Sequence, residues 1–166
     1  MLLGIIVILF LLGLSLSPSY YLVVAGEPGE ELMSLPLAKG ESFKLYYEHS
    51  VHRTPVIEIF QVGPQGELRL VASEFSAFGV GTPFLPEEGE LREVNGRFVL
   101  EGLERVFPEV RIRPLALTNN QLWYREQVYP LFDLSSDGSV IILRVCPGKL
   151  TKLWQYIDKG GMVDEP

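Results

Sequence analysis

The sequence predicts a mostly β domain, a small antiparallel barrel or sandwich of about eight to nine short strands, preceded by an N-terminal hydrophobic helix. Three observations carry this. From Tyr20 onward apolar residues recur at every second position in short runs, the period of a half-buried strand. Turn-forming clusters punctuate the runs, among them Gly26-Glu27-Pro28-Gly29, Gly63-Pro64-Gln65-Gly66 and Asp137-Gly138. The composition is 47% apolar with a single cysteine, so the fold must stand on a hydrophobic core without disulfides. No long stretch alternates strand with helix, which argues against a doubly wound sheet.

The first element is the run Leu2–Leu16, apolar except for Gly4, Gly13 and Ser15, with no charge before Glu27. Fifteen helical residues span about 22 Å, and extension through Pro18 to Tyr20-Tyr21 reaches the length of a membrane span, with tyrosine at headgroup level. Residues 1–18 therefore read as a signal-anchor helix or a signal peptide. The absence of Lys or Arg before the run and of a small-x-small cleavage site favours an uncleaved anchor. No cysteine follows the run, which excludes a lipoprotein anchor. The flank carries Glu27, Glu30 and Glu31 before the first cation, Lys39, so nothing holds the body inside. Residues 19–166 are then expected outside the cytoplasm, on a single-pass membrane protein, or secreted if the segment is cleaved.

The body follows in order. Strands are predicted over 20–25, 31–37, 42–50, 56–62 and 67–75. In the last of these Leu68, Leu70 and Ala72 share one face and Arg69, Val71 and Ser73 the other. Residues 82–95, rich in Pro, Glu and Gly, read as a loop. Short strands are expected over 97–101, 109–113 and 121–124, and a stronger one over 139–146. Lys149–Lys159 carries Leu150, Leu153, Trp154 and Ile157 at helical spacing. Cys146, beside an apolar run, reads as a buried, inert thiol. Trp123 and Tyr124 read as core. The net charge of −7 argues against nucleic acid and against a polybasic membrane surface.

Several motifs resemble the family known as domain of unknown function 1850. They are Pro36-Leu37 before Lys39-Gly40-Glu41-Ser42-Phe43, then His49-Ser50-Val51, Thr54-Pro55 with Glu58, and Phe75-Ser76-Ala77-Phe78-Gly79-Val80-Gly81, within a stretch running from Leu22 to Pro83; Pro147-Gly148 fits the family's ending. Members look like small exported proteins, often encoded beside TAXI-type TRAP transporters. The resemblance implies an accessory role in solute uptake and brings no catalytic activity with it.

The only two histidines, His49 and His52, both lie near Glu58 in the sequence. Setting Tyr47 opposite Phe60 and Leu45 opposite Val62 matches apolar to apolar and places His49 opposite Glu58 on the core side. A one-residue slip would turn Phe60 and Val62 outward. The expected result is a His–Glu pair at the inner rim, with Gly79 and Gly81 letting the backbone approach and offer N–H groups. One reading is that the pair locks the hairpin and the glycine loop. Another is a ligand site of His49, Ser50, Glu58, Gly79 and Gly81 for a small polar or anionic molecule. A metal held by His49, His52 and Glu58 is weaker, because His49 and His52 point to opposite faces of a strand. Ser50 lacks a nucleophile elbow. No cofactor is expected, since phosphate loops, paired CxxC motifs and dinucleotide fingerprints are absent.

The leading functional expectation is a membrane-tethered extracytoplasmic accessory or binding domain, with TRAP transporter components, or a small polar or anionic ligand, as the expected partner. A small His/Glu-based or metal-dependent hydrolase and a purely structural interaction module are the alternatives.

Overall fold

A computed structural model describes residues 18–27, 29–77, 89–135 and 138–149. The expected anchor over 1–17, Gly79 and Gly81, and the expected C-terminal helix beyond Lys149 lie outside the described residues. Among those described, no helix is long and apolar enough to cross a membrane.

Eleven strands and one short helix are described: β1 (Tyr20–Gly26), β2 (Glu31–Leu37), β3 (Ser42–Glu48), β4 (Pro55–Val62), β5 (Leu68–Phe75), β6 (Glu90–Val94), β7 (Arg97–Phe107), β8 (Val110–Ile112), β9 (Gln121–Tyr124), β10 (Gln127–Pro130), α1 (Leu131–Leu134) and β11 (Ile141–Pro147). They form two antiparallel sheets, one in the order β2-β1-β11-β8 and the other β10-β9-β3-β4-β5-β7-β6. Both sheets have open edges, so the arrangement is a sandwich and the barrel alternative is set aside.

The alternation read from sequence supplies the inner faces. Tyr20, Leu22 and Val24 of β1 and Ile141 and Leu143 of β11 meet Phe43 and Leu45 of β3, Val56, Phe60 and Val62 of β4, and Leu122 of β9 in one core. Phe43 stacks on Phe60 with ring centroids 5.5 Å apart. Gly148 ends β11 against the start of β1. Its N–H donates to the Ser19 carbonyl at 2.8 Å, and a Cβ there would lie 2.4 Å from the Pro18 carbonyl oxygen, so only glycine permits this approach.

Three elements depart from the sequence reading. The first is β6, within the stretch taken for a loop. It is an exposed edge strand, with Leu91 as its inward apolar residue, and it is joined to β7 by Asn95-Gly96, both at positive φ. That dipeptide is a strong hairpin signal, which the Pro- and Glu-rich surroundings obscured. A second hairpin, β9–β10, turns at Arg125 with φ 54, and Leu131 of α1 plugs the core beyond it. Thirdly, β5 carries a bulge between Leu70 and Ala72. The bulge leaves Val71 unpaired and reverses the later alternation. Ser73 and Phe75 therefore join Leu68 and Leu70 on the inner face, while Ala72 turns outward.

Candidate functional site

The β3–β4 register decides where the predicted cluster goes. Phe43 faces Phe60, Leu45 faces Glu58, and Glu48 faces Pro55. The expected pairing of Tyr47 with Phe60 and of His49 with Glu58 is displaced by four residues. An even displacement leaves every side chain on its predicted face, so the apolar pattern alone does not separate the two registers. His49 is thereby moved about 14 Å along the strand from Glu58, at about 3.4 Å per residue.

His49 and Ser50 belong to the tip of the hairpin. The His49 N–H donates to the Thr54 carbonyl and the Arg53 N–H to the His49 carbonyl, both at 2.8 Å. The ring of His49 folds over its own turn, where Nδ1 accepts from the backbone N–H groups of Val51 and His52, each at 3.3 Å. This is the imidazole counterpart of an Asx turn, and it assigns the Nδ1 lone pair to the backbone. The His52 ring lies 5.0 Å away, Ser50 is exposed, and Val51 is 75% exposed. His49→Ala should cost about 0.5–1 kcal/mol by freeing those two N–H groups, and His49→Asn should recover most of it. Thermal melts of the three proteins would show this; equal destabilisation by both variants would deny the ring its turn-closing role.

Glu58 sits elsewhere, in the middle of β4 on the inner face. The paired row across the larger sheet runs Leu122, Leu45, Glu58, Ser73, Leu100, so one carboxylate and one hydroxyl interrupt a band of leucines. Ser73 is 0% exposed, and its Oγ has no hydrogen-bond partner. The neighbouring row, Phe43, Phe60, Leu70, Arg105, brings a guanidinium to the same face. Two clefts meet at Glu58 beneath β8. One, of about 290 Å³, is lined by Leu45, Tyr47, Ile112, Asn120 and Leu131 and carries the cations Arg111 and Arg113; the other, of about 300 Å³, by Phe60, Leu70, Val110, Arg105, Glu109 and Arg111. Each is about the size at which small-molecule sites begin.

Burial pushes the Glu58 carboxyl above the usual carboxylate range, and the attraction of Arg105 only partly opposes this. Burial also raises the Tyr47 phenol, with the Glu58 charge adding to the effect. No hydrogen bond holds the ionised carboxylate among the described residues. A raised folded pKa means that, as pH climbs past the ordinary carboxylate value, the unfolded chain releases this proton first and stability falls. Glu58→Gln should therefore match the wild type near about pH 4 and exceed it in stability near about pH 8. Urea titrations at the two pH values test this. A variant less stable at the higher pH would mean that an unseen partner stabilises the charge.

Other candidates fall outside this cleft. Glu74 lies on the outer face of β5, opposite Ile57. Cys146 is half-buried opposite Tyr21, more open than expected. Tyr124 is buried as expected, whereas Trp123 is half-buried and stacks on Tyr46 with centroids 5.2 Å apart. Among the described residues no group of three His, Cys, Asp or Glu side chains is arranged to hold a metal ion. Tyr47, Ser73 and Arg105 escaped the sequence reading. The Asp- and His-poor sequence drew attention to Glu58, but bulges at Val71 and around Gly102 hid which neighbours it meets.

Fold and cleft define a small two-sheet β domain with a polar interruption inside its core. The chain belongs to the family described as Domain of unknown function (DUF1850), whose sequence profile matches residues 43–131. That span contains Tyr47, Glu58, Ser73 and Arg105 together with β8, whereas β1, β2, β11 and Pro147-Gly148 lie outside it. No curated protein and no solved structure matches the chain.

Proposed function

We propose that this chain is a non-enzymatic binding domain whose interior cleft takes a small polar solute, held outside the cytoplasm by its N-terminal segment and serving as an accessory to a solute uptake system of the TAXI-type TRAP kind. The observation that carries the binding reading is Glu58, placed without a hydrogen-bond partner among the described residues where two clefts meet. A half-buried carboxylate that no hydrogen bond satisfies is costly to keep, and a ligand that donates to it reduces the cost. Catalysis by a His–Glu pair has less support, since the register separates His49 from Glu58. The extracytoplasmic location rests on the uncharged run 2–16 and its acidic flank.

Thermal-shift measurements on the full chain in detergent, against a panel of polar metabolite-sized solutes, test the binding reading. At least one solute should raise the melting temperature in the wild type and lose that effect in Glu58→Gln. A flat response across the panel would count against it. Protease added to intact cells should digest the body, and full protection in the membrane fraction would reverse the topology. Recovery of a TRAP transporter component with the protein from its own membranes would support the partner, and its absence would remove that part of the proposal.

A further inference from the structure

We infer that the solute is a zwitterion with its charges held apart: a small amino acid whose ammonium meets Glu58 inside the cleft and whose carboxylate meets Arg113 at the mouth. This rests on the proposed binding cleft and names what the cleft selects. The 290 Å³ cleft opens beside β8, the edge strand of the smaller sheet, and reaches Glu58 on the inner face of the larger one. Most of its polar groups are already engaged. Arg111 pairs with Glu109 at 3.0 Å and with Glu27. The Gln121 amide donates to Asn119 Oδ1 at 3.0 Å and accepts from Trp123 Nε1 at 2.7 Å. Asn120 Oδ1 accepts from the Thr118 hydroxyl. Two charged groups are left over. Among the described residues, the half-buried Glu58 carboxylate accepts no hydrogen bond and the exposed Arg113 guanidinium makes no ion pair.

These two groups are opposite in sign and stand apart. The cation whose attraction reaches the Glu58 carboxyl is Arg105, in the neighbouring cleft, and not Arg113. Glu58 belongs to one sheet and Arg113 follows β8 of the other, and packed sheets lie about 10 Å apart. A plain amine would enter past Arg111 and Arg113 and leave Arg113 unanswered, while a plain anion would be repelled by Glu58. A solute with both charges answers both groups, each through a charge-assisted bond stronger than a neutral one. The guanidinium can also grip a carboxylate with two parallel N–H bonds. An α-amino acid carries its charges side by side, too close together to reach both groups. The fit is to a chain with the charges at its two ends, its hydrocarbon part against Leu45, Ile112 and Leu131.

The test uses four probes: 5-aminopentanoate, its α-amino isomer norvaline, and the singly charged pentylamine and pentanoate. Each is titrated calorimetrically into the full chain in detergent. 5-Aminopentanoate should bind at least about tenfold more tightly than any of the other three. Glu58→Gln and Arg113→Gln should each lose about tenfold or more of that affinity with unchanged circular dichroism spectra. Glu74→Gln, on the outer face, should bind as the wild type does. Pentylamine or pentanoate binding as tightly as 5-aminopentanoate would overturn the zwitterion and leave a solute-binding cleft in place. Norvaline binding as tightly would overturn the separation of the charges. If none of the four binds while another solute of the wider panel does, the zwitterion fails and the cleft stands. Silence across both sets removes the binding function itself.

Discussion

Phe43→Ala should lower the stability of this protein by about 3–5 kcal/mol, the range for removing a fully buried aromatic ring. Phe43 is 1% exposed, stacks on Phe60 and opens the stretch that matches the family. Its strand is central in the seven-stranded sheet, between β9 and β4, so the cavity would open where neighbouring strands cannot close over it. Phe60 would also lose a stacked partner, worth about 0.5–1.5 kcal/mol beyond area burial. Urea denaturation of the two proteins is the measurement, with a lowered midpoint and an unchanged slope as the expected result. A loss below about 1 kcal/mol would mean that the sandwich relaxes into the space, contrary to a close-packed interior.

The second large effect is expected at Glu41, which fastens the two sheets together. Its carboxylate accepts from the Tyr124 hydroxyl at 2.9 Å, from Arg125 Nε at 3.0 Å and from the Ala38 N–H at 2.8 Å. Tyr124 of β9 also donates to the Pro36 carbonyl of β2, and Arg125 lies over the Tyr124 ring at 4.9 Å. Glu41→Ala should cost about 2–3 kcal/mol, most of it from the Tyr124 and Ala38 donors, because the Arg125 partner is 58% exposed and screened by solvent. Burial pushes the Glu41 carboxyl up, but hydrogen bonds from Arg125, Ala38 and Tyr124 outweigh it and hold the group below the usual range. Between its lowered folded value and its unfolded value the unfolded chain binds more protons than the folded one, so this contribution is fully present above the unfolded value and is lost as pH falls through the folded one. The gap between wild type and Glu41→Gln should therefore narrow toward low pH, opposite in sign to the Glu58→Gln gap. Parallel pH series of the two variants distinguish a carboxylate that holds the fold from one that the fold merely tolerates. A Glu41→Gln gap independent of pH would contradict its role as an ionised fastener.

Much of this architecture was legible in the residues themselves. The strands at 20–26, 31–37, 42–48, 55–62 and 121–124 were readable because alternation and turn residues mark both face and end. Register was not readable, because Phe43 and Tyr47 are equally good apolar partners for Phe60 under a period-two rule. The choice falls to the turn, where the His49 ring and the positive φ of Arg53 fix how many residues the hairpin spends reversing direction. The predicted site divided for the same reason. His49 stayed with the turn and Glu58 with the sheet, while Ser73 and Arg105 reached Glu58 through bulges that no alternation pattern records.

The smaller sheet draws its strands from distant parts of the chain, β1 and β2, then β8, then β11, with Tyr20 paired to Pro147. The larger sheet contains the meander β3-β4-β5, each strand paired to its sequence neighbour. Local pairings close short loops and form early, whereas the pairing of β1 with β11 must close a loop of more than 100 residues. Folding of this chain should thus be limited by its last seam. During synthesis the meander would stand with its inner face uncovered from the emergence of Phe75 until residue 147 has emerged, an interval of about 4 to 14 seconds at about 5–20 residues per second. Through that interval the leucines around Glu58 face solvent. The same carboxylate that strains the finished core would then interrupt an apolar sheet face that could otherwise pair with another chain.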